Sequence, residues 1–177
     1  QYGISTSRAV RIHKTFRVEA IQIITENPYR LAREVRGIGF VSADQIAQKI
    51  GIEKESLIRA QAGLNHVLLE SMDEGHCALP VKDLLAKAQT LLEVPQDILS
   101  KALNTELETG DLIQEKIRDE DCIFLKGLYH SEYSVARFLK STTQGKLPWG
   151  SIDVDKAIPW VEKKLSFTLS TSQKEAI

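Results

Sequence analysis

Apolar positions in the first fifty residues recur at helical spacing, in short stretches separated by glycine, proline and asparagine. Val10, Ile12, His13 and Phe16 predict a helix that Thr6 or Ser7 caps and that ends near Phe16. Ala20, Ile21, Ile23 and Ile24 predict a second, shorter one. Asn27-Pro28 is an N-cap followed by a first-turn proline, and the helix it opens carries Leu31, Ala32 and Val35. Arg36-Gly37-Ile38-Gly39-Phe40 breaks that helix. Ser42, with Gln45 three residues on, has the capping-box spacing for a new helix that ends near Gly51. A longer helix is predicted from about Glu53 to Met72, with Leu57, Ile58, Leu64, Val67 and Leu68 inward and Gly75 as its stop.

Beyond Gly75 the period changes. Cys77 to Leu79 predict a short strand, Val81 to Leu92 a helix, and Pro95 to Thr109 another that Gly110 terminates. Leu112 to Ile117 and Cys122 to Lys126 alternate around Arg118-Asp119-Glu120-Asp121, which is a hairpin pattern. Short strand, helix, helix, hairpin is the order of a winged helix. Tyr129 to Lys140 and Asp153 to Leu165 predict two more helices, joined by a polar loop with Gly145, Pro148 and Gly150. The expected fold is mainly α: a helix-hairpin-helix module over residues 1–66, a small winged-helix-like α+β module over 67–127, and a helical linker over 128–177.

Composition narrows the class. Hydrophobic residues make up 42% of the 177 positions and charged ones 27%, as in an ordinary globular domain. No apolar run approaches the roughly 20 residues that span a bilayer, and no secretory signal pattern opens the chain, so no membrane partner is expected. Both ends lie inside patterned segments, as the ends of a fragment would. The two cysteines, Cys77 and Cys122, lack CxxC spacing and are expected to be buried, reduced thiols. The four histidines are scattered, so no metal site is expected. The net charge of −1 conceals an asymmetry: residues 1–60 carry ten Lys and Arg against six Asp and Glu, whereas the remainder is acidic. A basic first third suits a polyanion.

The candidate chemistry lies between Leu31 and Ala47. Helix, Gly-hydrophobic-Gly, then a helix with a small residue at Ala43 is the helix-hairpin-helix signature. Gly37 and Gly39 are expected to adopt dihedrals that a Cβ disfavours. Ile38 should point inward and pin the turn, and Ala43 should let the two helices approach. The turn then offers backbone N–H groups at a helix N-terminus, a ready anion site. Gly37, Ile38, Gly39 and Phe40 would supply amides, with Arg36 and Arg33 adding charge. The natural anion is a DNA phosphate, gripped without regard to base sequence. A plain turn between two helices with a glycine C-cap is the competing reading. Tyr2-Gly3-Ile4 and the helix after it look like a weaker first copy, with Arg8, Arg11, Lys14 and Arg17 along its helix; an ordinary surface helix is the alternative. The candidate recognition helix, Gln96 to Thr109, carries one Lys against Asp97, Glu106 and Glu108, and the wing turn is acidic. That module is therefore expected to serve structure or protein contacts rather than to read DNA.

Asn27-Pro-Tyr-Arg-Leu-Ala, Arg36-Gly-Ile-Gly-Phe and Ala43-Asp-Gln-Ile-Ala47 together resemble the N-terminal region of RecD-like (RecD/TraA-type) helicases of superfamily 1. Tyr2-Gly-Ile4, Glu19-Ala-Ile21, Gly75-His-Cys-Ala-Leu-Pro80 and Leu169-Ser-Thr-Ser-Gln173 fit the same family, so the resemblance runs over essentially the whole chain. It implies a bacterial, cytoplasmic, ATP-driven 5′-to-3′ DNA helicase of repair and recombination that uses ATP and Mg. The region would bind single-stranded or forked DNA. Leu169 to Gln173 would be the family's Q-motif, with Gln173 on the adenine of ATP; Ser170 to Gln173 is equally a capping box. Gly145-Lys146, followed by Leu147, does not make a phosphate-binding loop. No catalytic residue is expected in this stretch, and ATP hydrolysis would need the motor beyond it. The rivals are a DNA-binding adaptor without a motor and a protein-interaction scaffold.

Overall fold

The structure, a computed structural model, describes residues 4–144 and 150–177. It falls into two units, the first ending at Val135 and the second covering Ala136–Ile177. The first unit opens with four helices: α1 (Thr6–Phe16), α2 (Ala20–Glu26), α3 (Arg30–Glu34) and α4 (Phe40–Lys49), with a 3-10 turn over Arg17–Glu19. Helix α5 (Leu57–Asp73) leads to β1 (Ala78–Pro80), α6 (Val81–Leu92), α7 (Gln96–Thr109), β2 (Leu112–Ile117) and β3 (Glu120–Leu125). The three strands form an antiparallel sheet in the order β1-β3-β2, with Leu79 opposite Ile123 and Gln114 opposite the same residue from the other side.

Local chemistry explains most element ends. Asn27 Oδ1 accepts from the Tyr29 amide at 3.1 Å, so the Asn-Pro pair builds a turn and α3 starts just after it. Gly110, at φ +72, closes α7 in the left-handed conformation. The β2–β3 connection is tighter than the sequence implied: only Arg118 and Asp119 lie between the strands, both at positive φ, as in a type I′ turn.

Two apolar clusters hold the first unit. Ile12, Phe16, Ile23, Leu31, Val35, Ile38 and Ile46 form one, among α1 to α4. The larger draws Tyr29, Phe40, Ala43 and Ala47 together with Leu64, Leu84, Leu99, Leu112 and Ile123. Each such leucine, fully withdrawn from water, contributes about 1.5–3 kcal/mol. The second cluster runs from the hairpin helices into the sheet, so the expected boundary at residue 66 falls inside α5 and inside a continuous core. Three further expectations are corrected. Helix α4 starts at Phe40, not at Ser42, because the extended Gly39 takes the N-cap position and its carbonyl accepts from the Ser42 and Ala43 amides at 3.1 Å. Leu57 is exposed rather than inward. Cys122 is buried, but Cys77 is exposed and donates to Glu132 at 3.5 Å.

Helix α8 (Lys126–Thr143) continues beyond Val135 into the second unit. That unit also holds α9 (Val154–Leu165), capped by Asp153, and α10 (Thr171–Glu175). Glu162 ties its tail down: it accepts from the Leu169 amide and from Lys174, both at 2.8 Å. The Lys174 ammonium first, then the Leu169 amide, holds the Glu162 carboxyl below the usual carboxylate range. Among the described residues no helix is long and apolar enough to cross a membrane.

Candidate nucleic-acid interface

The turn between α3 and α4 has the shape that its glycines imply, but the two glycines contribute differently. Gly37 sits at φ +82, where an L side chain is strained. Gly39 sits at φ −93 and ψ 175, ordinary extended backbone, and a Cβ there would meet nothing within 4 Å. The expectation that Gly39 needs a conformation closed to other residues is therefore corrected. Ile38 between them is only 3% exposed and joins the smaller cluster, pinning the turn from inside as expected. Ala43 is wholly buried and packs into the larger cluster with Tyr29 and Phe40.

The tip itself is open. Arg36, Gly37, Gly39 and Val41 are exposed, while the Phe40 ring turns inward and stacks between Tyr29 and His66, with centroids 5.8 and 5.0 Å away. The Ile38 amide, expected among the free donors, is not one of them: it donates to the Val35 carbonyl at 3.1 Å as part of the turn, whereas among the described residues no carbonyl accepts from the amides of Gly37, Gly39, Phe40 or Val41. Those donors cluster at the positive end of a ten-residue helix. An exposed group of unpaired N–H donors with a helix dipole behind it accepts an anion.

A first copy is built around the same cluster. Ile4 and Ile12 lie 34 positions before Ile38 and Ile46, and all four pack into it. Ile4 precedes α1 by two residues, as Ile38 precedes α4. Ser5 takes the N-cap place of Gly39, in extended conformation and without a side-chain cap bond. Gly3, the glycine assigned to this copy, lies outside the described residues. Arg8 is half-buried in the first turn of α1.

The cations distribute unevenly around the tip. Arg36 is exposed on it. Arg33 instead turns to the α+β module, where its guanidinium lies 3.6 Å from Asp111; a carboxylate there competes with any role beside the hairpin. Arg30 is bound to Glu34 at 2.7 Å and lies over the Phe16 ring. Arg11 of α1, expected to line the helix of the first copy, reaches the second hairpin instead: its Nη1 donates to the Arg36 carbonyl at 3.0 Å. Its 25-residue separation from Arg36 left no local signal.

Beneath the tip, α4 is anchored by a buried polar node. Asp44 accepts from the Tyr29 hydroxyl at 2.7 Å, from Arg59 at 2.8 and 3.2 Å, and from Gln48 at 3.2 Å. Arg59 also donates to the carbonyls of Lys54 and Leu92, each at 3.0 Å. Burial, then the Asp44 carboxylate, pushes the Tyr29 hydroxyl far up from its ordinary value.

On α7, Lys101 lies 3.9 Å from Asp97, and Glu106 is buried against Asn65, whose amide donates to it at 2.7 Å. Burial holds the Glu106 carboxyl above the usual carboxylate range, with Asn65 pulling the other way. In the second unit, Gln173 is engaged as a cap. Its Oε1 accepts from the Ser170 amide at 2.9 Å, and its own amide donates to Ser170 Oγ at 3.3 Å.

Residues 1–78 match the family model of the helix-hairpin-helix domain of the ATP-dependent RecD2 DNA helicase. The match spans α1 to α5, with the hairpin between α3 and α4, and the first residue of β1. With the open diglycine tip, the paired isoleucines and the shared cluster, it makes residues 1–78 a RecD2-type helix-hairpin-helix domain, as found in the N-terminal region of such helicases.

Proposed function

We propose that this chain is the sequence-independent DNA-binding region of an ATP-dependent 5′-to-3′ helicase of DNA repair and recombination. The observation that carries the reading is the exposed tip of the second hairpin, where the Gly37, Gly39, Phe40 and Val41 amides, though not that of Ile38, are unpartnered by any described carbonyl. A phosphate oxygen is the acceptor such donors fit, and a main-chain contact to phosphate carries no base information. The hairpins would hold single-stranded or forked DNA by its backbone while a motor beyond this stretch, using ATP and Mg, moves the strand. Gln173 would reach adenine only by leaving its bonds to Ser170, or by recognising adenine with the amide nitrogen that the cap leaves over. The winged-helix-like α+β module, with its paired Lys101 and acidic wing turn, serves as a support for the hairpins rather than as a second reader. The setting that fits these roles is the bacterial cytoplasm.

The test is a salt titration of binding to fluorescent single-stranded, forked and duplex DNA of several sequences. Affinity should fall steeply with salt, with a logarithmic slope of roughly −0.7 to −0.9 per neutralised phosphate, and should not depend on sequence. Flat salt dependence or strong sequence preference would overturn the reading.

A further inference from the structure

We propose that Arg11, on the helix of the first copy, is the cation of the second hairpin's phosphate site. The proposal rests on the DNA-gripping reading above and adds to it a residue from the neighbouring repeat. Arg11 Nη1 donates to the Arg36 carbonyl at 3.0 Å, and the same nitrogen fills the space that a Cβ on Gly37 would need. The guanidinium therefore lies directly on the hairpin turn. It is exposed, and its partner there is a neutral carbonyl, which leaves its charge unspent. A second bond, from Nε to the Ser7 carbonyl, is long at 3.4 Å.

A guanidinium carries five N–H groups in a planar fork, so two such bonds leave donors over. A phosphate on the Gly39 to Val41 amides would find beside it a cation already tethered in place. Tethering matters, because a free arginine loses side-chain freedom when it binds and a held one loses less. Arginine also suits phosphate better than lysine does, through two parallel N–H···O bonds. Gly37 then has two reasons to lack a side chain: its positive φ, and the guanidinium lying on it. The two copies would form one site, the first lending its charge to the second's amides.

The experiment measures DNA affinity by fluorescence anisotropy across a salt series, using the whole chain. Arg11→Met and Arg11→Gln should each weaken binding roughly tenfold and flatten the salt slope by about 0.7–0.9. Arg11→Lys should keep most of the slope. The glutamine amide still offers a donor to the Arg36 carbonyl, so Arg11→Gln separates charge from propping. Lys101→Gln on α7, the same change of charge away from the hairpin, should leave the slope as it is. If the Arg11 variants lose thermal stability and affinity but keep the slope, Arg11 only props the turn and the proposal fails. If they bind as the parent does while Gly39→Asp loses binding, the proposal fails and the hairpin reading stands. If Gly39→Asp also binds normally, the hairpin reading fails with it.

Discussion

An aspartate in place of Gly39 acts on fold and ligand in opposite directions, and both effects follow from the backbone at that position. Gly39 is the N-cap of α4 at φ −93 and ψ 175, and a Cβ there meets nothing within 4 Å. Aspartate fits that conformation and is among the best N-cap residues, better than glycine by a few tenths of a kcal/mol. Its charge at the positive end of the helix adds about 0.3–1 kcal/mol. The folded state should gain roughly 0.5–1 kcal/mol, or about 1–4 °C in Tm at this chain length. The same carboxylate would occupy the amides that await a phosphate, and would repel one. Losing hydrogen bonds to a charged acceptor costs about 1.5–3 kcal/mol, so DNA affinity should drop ten- to a hundredfold or more. Gly39→Asn, a neutral cap, should show the same loss without the added repulsion. Gly37→Ala supplies the contrast. At φ +82 it is strained by about 1–2 kcal/mol, and its Cβ would displace the Arg11 guanidinium from the turn. It should destabilise first and weaken binding as a consequence. Thermal melts and anisotropy on the same samples decide the matter. A Gly39→Asp protein that melts higher and still binds DNA as tightly as the parent would refute the assignment of those amides.

Two further expectations concern the scaffold. Asp44→Asn leaves the Arg59 guanidinium buried without its carboxylate, so urea denaturation should show a loss of about 3–5 kcal/mol, against roughly 1.5–3 kcal/mol for Tyr29→Phe, which removes one hydrogen bond to the same charge; equal small losses would place the node nearer water than its burial implies. Glu106 is held above its ordinary value of 4.5 by burial, so the fold favours its protonated form. Its contribution is complete below about pH 4.5 and is lost as pH rises through the raised folded value. Glu106→Gln should therefore gain stability relative to the parent as pH rises from 4.5 toward neutrality, and an unchanging difference across that range would refute the cause.

The features legible in the sequence were those written locally. Gly37 and Ile38 announced a turn and its anchor. The helical pattern from Val81 to Leu92 matched both ends of α6, and Gly110 marked where α7 stops. Asp153 named its own helix start. The missed features were made by pairings between distant residues. Arg33 looked like a hairpin cation, but its partner Asp111 is 78 positions away. The Asp44–Arg59 pair and its bond to the Leu92 carbonyl leave no periodicity to read. The Ser42 capping box had the right spacing, yet the anchored Ile38 and extended Gly39 set the helix start two residues earlier. Tertiary anchoring outweighed a local preference worth about 1 kcal/mol. Cys77 followed the general tendency of cysteine to be buried only until the strand edge left it outside.

A strand held at the hairpin would be under tension whenever something downstream draws on it. That load enters α4 along its axis, and α4 is not attached by apolar contacts alone, which slide. Its Asp44 is bolted through Arg59 to the carbonyl that ends α6. Directional bonds resist shear, so hairpin and sheet should move as one rigid bracket, and any compliance would have to come from segments beyond it.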